Sequence, residues 1–473
     1  MEYRTQKILL TSHIDDEAEA CLTWLVHQSN NLYNSVLFVI RQAHFDRCET
    51  RTFFDDLDQY RIAFKDRFIK AIYGQLCKDF RINKHYEALG GQQAQQCIKS
   101  VVEGISSYNK LLKKWWSKEL DMRPKIPNYR TSGGVYQVTF TSQNITYNEL
   151  EGYCRLSISR INKPELVNPE IIIPSGTGFN SEQLSEVRIV PANNKLWAEY
   201  VYQVESKQAR GLDYSQAIGI DPGVSNWLTA VSTKGKSFII CGRKIKSINQ
   251  RYNKAVANYK KGKPQKYWDN YLANITHKRN CQMRDACSKA ARFVINYCLN
   301  HGIGNIVFGW GQGVKNKSNL GRQNNQNYVQ IPTSRLKDRI KELAESVGIV
   351  FIETEEAYTS KSDFLAGDLL FKFGEKPKEY KFSGRRITRG TYKSKFGLIC
   401  ADALGGLNCL KKALRPRVAV RRKGTRNKRV ATQLNIDLAE VGRAALTLPK
   451  RYNLSCLSKS YRKRGEMRLQ TIS

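Results

Sequence analysis

"AIGIDPGVSNWLTAVSTKGKSFIICGR", Ala217 to Arg243, contains three closely spaced strand patterns, "AIGID", "NWLTAVS" and "KSFIICGR", separated by turn residues. A long helical pattern follows to about Asn300. Next come a strand, "NIVFGW", a helix with Leu336, Ile340, Leu343 and Val347 on one face, and a second strand, "IVFIET". A last helix begins near Asp402. The order β-β-β-α-β-α-β-α calls for a mixed sheet with helices on both faces.

That order is the one of an RNase H-like fold, and the chain before it reads differently. "YRTQKILLTSHI" is strand-like, and from Asp15 to about Lys118 the spacing is mainly helical, with Cys21, Trp24, Leu25, Asn31, Leu32, Val36 and Leu37 in register. This lobe closes in "YNKLLKKWWSKELDMRPKIPNYR", where Pro124 and Pro127 end any helix. From Val135 to about Glu205 short β-like pieces alternate with Gly, Asn and Pro, predicting a small barrel or sandwich that shares its sheet with the N-terminal strand. The chain beyond Arg415 is basic and poorly periodic, and no internal repeat is visible.

A length of 473 residues calls for two or three domains, and 41% apolar residues suffice to build them. The net charge of +36 would repel itself unless a polyanion neutralised it, which points to nucleic acid ahead of an acidic membrane surface. No apolar run approaches a membrane span, and "MEYRTQKILL" lacks the apolar core of a secretory signal, so an intracellular setting is expected. The twelve cysteines are scattered, Cys281 and Cys287 lacking zinc-knuckle spacing, and are read as reduced thiols. The six histidines show no ligand spacing either, which leaves carboxylates and a hard cation.

Two carboxylates stand where a sheet could use them. Asp221 ends the first strand of the opening stretch, although Asp-Pro-Gly is also an ordinary turn. Asp402 opens the last helix, where an acid also suits the helix dipole. Gly405 and Gly406 would let that helix lie close to the sheet and bring Asp402 toward Asp221. Two-metal phosphodiester hydrolysis wants a third acid. The fourth strand offers Gly309 where one is commonly expected, while the fifth ends in "IETEEAYTSKS", so Glu353, Glu355 or Glu356 would supply it from the neighbouring strand. Strand alternation puts Glu353 and Glu355 on one face, which Glu356 joins only if the chain turns or bulges.

Taken together, "RPKIPNYRTSGGVYQVTF", "GIDPGVSN", "NNQNYVQIP", "TEEAYTSKS" and "GRRITRGTYKSKFGLICADALGGLN" resemble the TnpB family, transposon-encoded RNA-guided DNA nucleases related to type V CRISPR effectors. The resemblance spans roughly Gln92 to Lys412. It implies a wedge-like β-barrel in two parts (1–14 and 127–210) around a helical recognition lobe (15–126). A RuvC-type nuclease would follow at 211–362 and 400–420, with 363–399 in place of the family's zinc ribbon and a basic tail at 421–473. Asp221 and Asp402 match the first and last acids of the family's Asp, Glu, Asp site, which holds two magnesium ions, with manganese as a substitute. Gly309 departs from it, and the sequence resembles a rearranged branch with the glutamate before "YTSK", which makes Glu356 the first choice, Glu355 the second and Glu353 the third. Cysteine pairs are absent at "SKSDFLAGD", so zinc is not expected, and Cys400 and Leu404 replace usual asparagines.

The implied activity is RNA-guided DNA cleavage, with a guide RNA and double-stranded target DNA as partners and no membrane. A CRISPR-RNA-guided effector, a nuclease-decayed guided repressor and an end-joining transposase share the architecture. Basic and aromatic residues are assigned to nucleic acid: Lys113, Lys114, Trp115, Trp116, Lys125 and Tyr129 near the end of the helical lobe, although two adjacent tryptophans on a helix are more often core. In the tail, Arg415, Arg417, Arg421, Arg422, Lys423 and Arg426 belong to a run from Arg415 to Arg429 with eight Lys or Arg and no acid.

Overall fold

The structure, a computed structural model, describes residues 2–11, 13–47, 50–54, 60–64, 68–120, 122–158, 170–205, 208–311, 330–413, 441 and 443–457. The chain forms two units, Met1–Glu205 and Ser206–Ser473. Among the described residues no helix is long and apolar enough to cross a membrane.

The first unit opens with strand β1 (Glu2–Leu9) and the long helix α1 (Asp16–Arg47). Asp15 Oδ1 accepts the Ala18 amide, and Asp16, Glu17 and Glu19 fill the first turn, complementing the helix dipole. Strands β2 (Thr50–Phe54) and β3 (Tyr60–Phe64) form an antiparallel hairpin inside the segment expected to be mainly helical. Their aromatic and β-branched content favours pleated backbone over helix. Helices α2 (Tyr73–Asp79), α3 (Lys84–Leu89) and α4 (Gly91–Trp116) follow. In α4 the residues Ala94, Cys97, Ile98, Val101, Ile105, Tyr108 and Leu112 are buried, the stripe of a 3.6-residue period.

The β part of this unit is two antiparallel sheets. One, ordered β1-β9-β8-β4, joins β1 to β4 (Val138–Thr141), β8 (Leu184–Ala192) and β9 (Lys195–Val204). The other comprises β5 (Ile145–Asn148), β6 (Tyr153–Ser157) and β7 (Glu170–Pro174). Helices and both sheets share one hydrophobic core, which runs from Leu22 and Leu25 through Ile98 to Phe140 and Tyr200.

The second unit is built on a six-stranded sheet. Its chain order is β10 (Asp213–Pro222), β11 (Asn226–Ser232), β12 (Ser237–Cys241), α5 (Arg243–Tyr259), α6 (Asn270–Asn300), β13 (Ile303–Gly309), α7 (Thr333–Glu345) and β14 (Val350–Thr354). A small three-stranded sheet of β15 (Arg385–Arg386), β16 (Thr391–Ser394) and β17 (Gly397–Cys400) leads into α8 (Ala401–Ala413). Finally α9 (Arg443–Thr447) leads to β18 (Lys450–Tyr452). The large sheet is ordered β14-β13-β10-β11-β12-β18, with β10, β13 and β14 mutually parallel and β11 antiparallel to β10.

Period-two alternation divides the sheet's side chains between two cores. Ile218, Ile220, Ile306 and Phe308 pack with α6 and α7, whereas Ala217, Val231 and Val307 pack with α8 and α9. Full burial of each such aliphatic side chain contributes about 1.5–3 kcal/mol. The structure departs from the sequence pattern twice here. The single helical stretch before β13 is two helices, because Gly262 and Pro264 break it. The expected tail, 421–473, is not wholly a tail, since β18 pairs parallel with β12 and extends the sheet. Three residues, two of them basic, carry too short a pattern to read as a strand.

Candidate functional site: three carboxylates at one end of a sheet

Asp221 lies near the end of β10, two residues after Gly219 and therefore on the same face, the face covered by α8. Contact between β10 and α8 is close because neither side carries a side chain: a Cβ on Gly219 would run into the Gly406 carbonyl. One residue back along α8, a Cβ on Gly405 would lie 2.7 Å from Asp221 Oδ2. The glycine pair thus lets the first turn of α8, which carries Asp402, approach the strand that carries Asp221.

The glutamates after β14 separate into three environments. Glu353 is still within the strand and points to the α7 side, where Lys337 Nζ is 2.7 Å from its Oε1. Past Thr354 the strand has ended, and Glu355 turns to the Lys412 ammonium at 3.7 Å and accepts the Phe373 amide at 2.9 Å. Glu353 and Glu355 therefore do not share surroundings, contrary to the alternation expected from sequence, because the pleat stops between them. Glu356 comes to Gly309: a Cβ added to that glycine would lie 3.1 Å from Glu356 Cγ and 2.8 Å from Cys409 Sγ. Its side chain borders the space that a larger residue at the end of β13 would fill.

Electrostatics tie the three acids together. Burial lifts the Asp221 carboxyl well above the usual carboxylate range, the charges of Glu356 and Asp402 lift it further, and Arg386 opposes them. Burial, then Asp221 and Glu356, likewise raises the Cys409 thiol, against Lys412. Asp402 is held on both oxygens: Arg386 Nη2 donates to Oδ1 at 2.9 Å and Asn226 Nδ2 to Oδ2 at 2.6 Å. Arg451 of β18 in turn donates to Asn226 Oδ1 at 2.8 Å. Arg386, Asn226 and Arg451 were not singled out from sequence. Asn226 stands in "GIDPGVSN" and Arg386 in "GRRITRGTYKSKFGLICADALGGLN", whereas Arg451 is lost among the many basic residues.

An all-oxygen donor set suits a hard divalent cation, and the mutual repulsion recorded in the Asp221 shift is the field such a cation would relieve. Among the described residues no three His, Cys, Asp or Glu side chains are gathered as a metal ligand set, and Asp402 is engaged by Arg386 and Asn226. In the 363–399 insertion, Asp368 accepts from the Asp363 amide and from Ser383, an arrangement that folds the loop on itself.

The residues assigned to nucleic acid near Trp116 are spread over a surface. Lys113, Lys114 and Lys125 are exposed. Trp115 packs on the core and lies beneath Arg123, while Trp116 is 42% exposed with its edge on Phe68. Tyr129 carries the Arg41 guanidinium 4.8 Å above its ring. Arg415, Arg417, Arg421, Arg422, Lys423 and Arg426 lie outside the described residues, as does most of "NNQNYVQIP".

Residues 199–311 match the family described as probable transposase, OrfB_IS605, a segment that contains Asp221, α5, α6 and Gly309. No curated protein matches the chain. Among solved structures, the chain is similar to Cas12f1 in a cryo-EM Cas12f1-sgRNA-target DNA complex, at 13% identity over 86% of this chain and 98% of that one, with a TM-score of 0.44. It is also similar to the mini-RNA-guided endonuclease CRISPR-Cas_phi3, at 10% identity over 87% of this chain and 92% of that one, with a TM-score of 0.41.

Proposed function

We propose that the chain is an RNA-guided DNA endonuclease with one RuvC-type, magnesium-dependent site, in which Asp221, Glu356 and Asp402 hold the metal. The observation that carries this reading is the electrostatic coupling of Asp221 to Glu356 and Asp402, three acids brought in from three separate elements of a strongly basic chain. The transposase match over residues 199–311 and the sequence resemblance to TnpB support the same class. Divalent cations bound there would activate water and stabilise the leaving oxygen of a phosphodiester. The chain's own contribution is orientation: the Gly405–Gly406 contact sets the spacing of Asp221 and Asp402, and Asn226 fixes one Asp402 oxygen. The surplus charge attracts guide RNA and target DNA, while base pairing selects the sequence.

One observation favours a second reading, a guided DNA-binding repressor: Arg386 neutralises Asp402, as it would in a site that no longer binds cations. Both readings are tested on the protein as it purifies. Sequencing of the co-purified RNA is expected to give one discrete structured species, and cutting of a matching duplex is expected to require magnesium. Asp221→Ala and Asp402→Ala are expected to abolish cutting and leave guided binding intact. Cutting by either variant refutes the site, and guided binding without cutting by the unaltered protein selects the repressor.

A further inference from the structure

Among the described residues, the helical hairpin α5–α6 joins the sheet's core near its base, and Asn249 and Asn253 also hydrogen-bond Gln330 ahead of α7. From Met283 onward α6 packs in the sheet's core, and α5 contributes Ile245 and Ile248 near its start. Leu272 and Ala273, near the start of α6, are buried yet do not belong to that core. About 13 residues of α6, roughly 20 Å of helix, therefore precede its first residue in that core.

The direction of this arm follows from both anchors. Two residues, His301 and Gly302, reverse the chain from α6 into β13, so α6 runs back alongside β13 and its N-terminal end lies toward the strand's far end, where Gly309 sits. Independently, α5 starts directly after Cys241, which pairs with Asn226, the residue that holds Asp402. The arm thus projects from the end of the sheet that carries the three acids.

The arm is polycationic. Residues 243–284 contain twelve Lys or Arg and a single acid, Asp269. That acid is used internally: it accepts the Leu272 amide at 2.9 Å and the hydroxyls of Tyr259 and Tyr267 at 2.5 and 2.9 Å. Lys263 caps the same cluster, 3.3 Å above the Tyr259 ring and 4.3 Å from that of Tyr267. These contacts order the tip and leave Trp268 and Tyr271 each 46% exposed, with Lys261 and Lys266 exposed beside them.

Building on the nuclease reading above, we propose that this arm binds single-stranded DNA and leads the strand to be cut toward the carboxylates. Positive charge attracts any polyanion, but exposed rings favour unpaired bases, whose faces a duplex hides. The location favours the DNA strand that is cut, since a strand held on the arm lies at the carboxylate end of the sheet.

The test uses the RNA-loaded protein and a labelled single-stranded oligonucleotide of about 15 thymidines, read by fluorescence anisotropy. The double variant Trp268→Ala/Tyr271→Ala is expected to weaken binding on the order of 10²-fold, at about tenfold per lost stacking contact. Lys261→Gln/Lys266→Gln should reduce the slope of log affinity against log salt by about 1.4, at 0.7 per phosphate contact. It also keeps the test valid if the aromatic variant disturbs the tip. Equal loss on a duplex of the same length, or loss confined to vesicles of anionic lipid, overturns the proposal. So does unchanged single-strand affinity in both variants while Asp221→Ala alone stops cutting, and in that event the nuclease reading survives. Loss of single-strand binding in a protein that never cuts retains the arm and removes the nuclease.

Discussion

Gly405→Ala separates the site from the fold that carries it. The new methyl would lie 2.7 Å from Asp221 Oδ2, against ordinary contact at 3.4 Å or more, so the carboxylate and the helix must part by about 0.7 Å. Overpacking of this kind costs about 1–3 kcal/mol. Replacing glycine inside a helix returns about 0.8–1.0 kcal/mol. The net loss is about 0–2 kcal/mol, which for a unit of this size lowers the melting temperature by at most about 8 °C. Misplacement of a reacting constellation by 1 Å costs about 10²-fold, so cutting should fall between tenfold and a hundredfold in a protein that is still folded. Gly406→Ala is the control: its Cβ would meet the Gly219 and Thr229 carbonyls at 3.0 and 3.3 Å, with no acid among its near neighbours. Because the glycine pair spaces β10 and α8 together, this variant should cost some activity and stability too, but less than Gly405→Ala, whose methyl meets the carboxylate itself. The assay is initial cutting rate against magnesium concentration, paired with thermal unfolding. A Gly405→Ala protein with wild-type rate and magnesium half-saturation refutes the reasoning, as does activity that falls equally in the two variants.

Glu356→Gln should abolish magnesium-dependent cutting while preserving the fold, whereas Glu355→Gln and Glu353→Gln should cut nearly normally. Glu353→Gln should instead lower stability, because the largely buried Lys337 ammonium loses its 2.7 Å partner, and thermal unfolding measures that loss. Arg386→Ala releases Asp402 Oδ1 and should lower the magnesium concentration for half-maximal cutting; an unchanged or raised value would mean that Arg386 does not compete with the cation. Asp269 has its carboxyl depressed by the Leu272 amide first and by the Tyr259 hydroxyl next. Its contribution to the hairpin tip is therefore present above the ordinary value of 3.8 and is lost as pH falls through the depressed one. Trp268 fluorescence should report loosening in that acidic window, and Asp269→Asn should remove the pH dependence.

Elements with long or repeated patterns were legible in the sequence. The three strands of 217–243, the α4 stripe and the glycine pair of α8 each impose a period or a steric requirement that few other arrangements satisfy. Brief or diluted signals were not legible. Strand β18 has three residues, and its place in the sheet depends on pairing with β12 some two hundred positions earlier. The α5–α6 arm hid for a different reason. Its basic residues are interleaved with asparagine, alanine and tyrosine and form no long run, so they become one surface only when the two helices lie side by side and leave the sheet.

The choice among the glutamates was closer to being readable than the alternation argument suggested. That argument compared Glu353, Glu355 and Glu356 with one another, when the informative comparison is with the residues across the sheet. Gly219 stands opposite Val307, and Val307 opposite Ile352, so these three positions share a face. Two steps along each strand lie Asp221, Gly309 and Thr354 on that same face. That parity excludes Glu353, whose partner Lys337 lies on the opposite side, but it ends with the strand at Thr354 and does not decide between Glu355 and Glu356. Which face matters is also written in the chain, because Gly219 carries no side chain and only a helix with glycines of its own can close on it. "ADALGG" is such a helix, and it brings Asp402 to the face of Asp221. Alternation therefore removes Glu353, and the chain past the end of the strand, where Glu355 turns to Lys412 and Glu356 comes to Gly309, decides the rest.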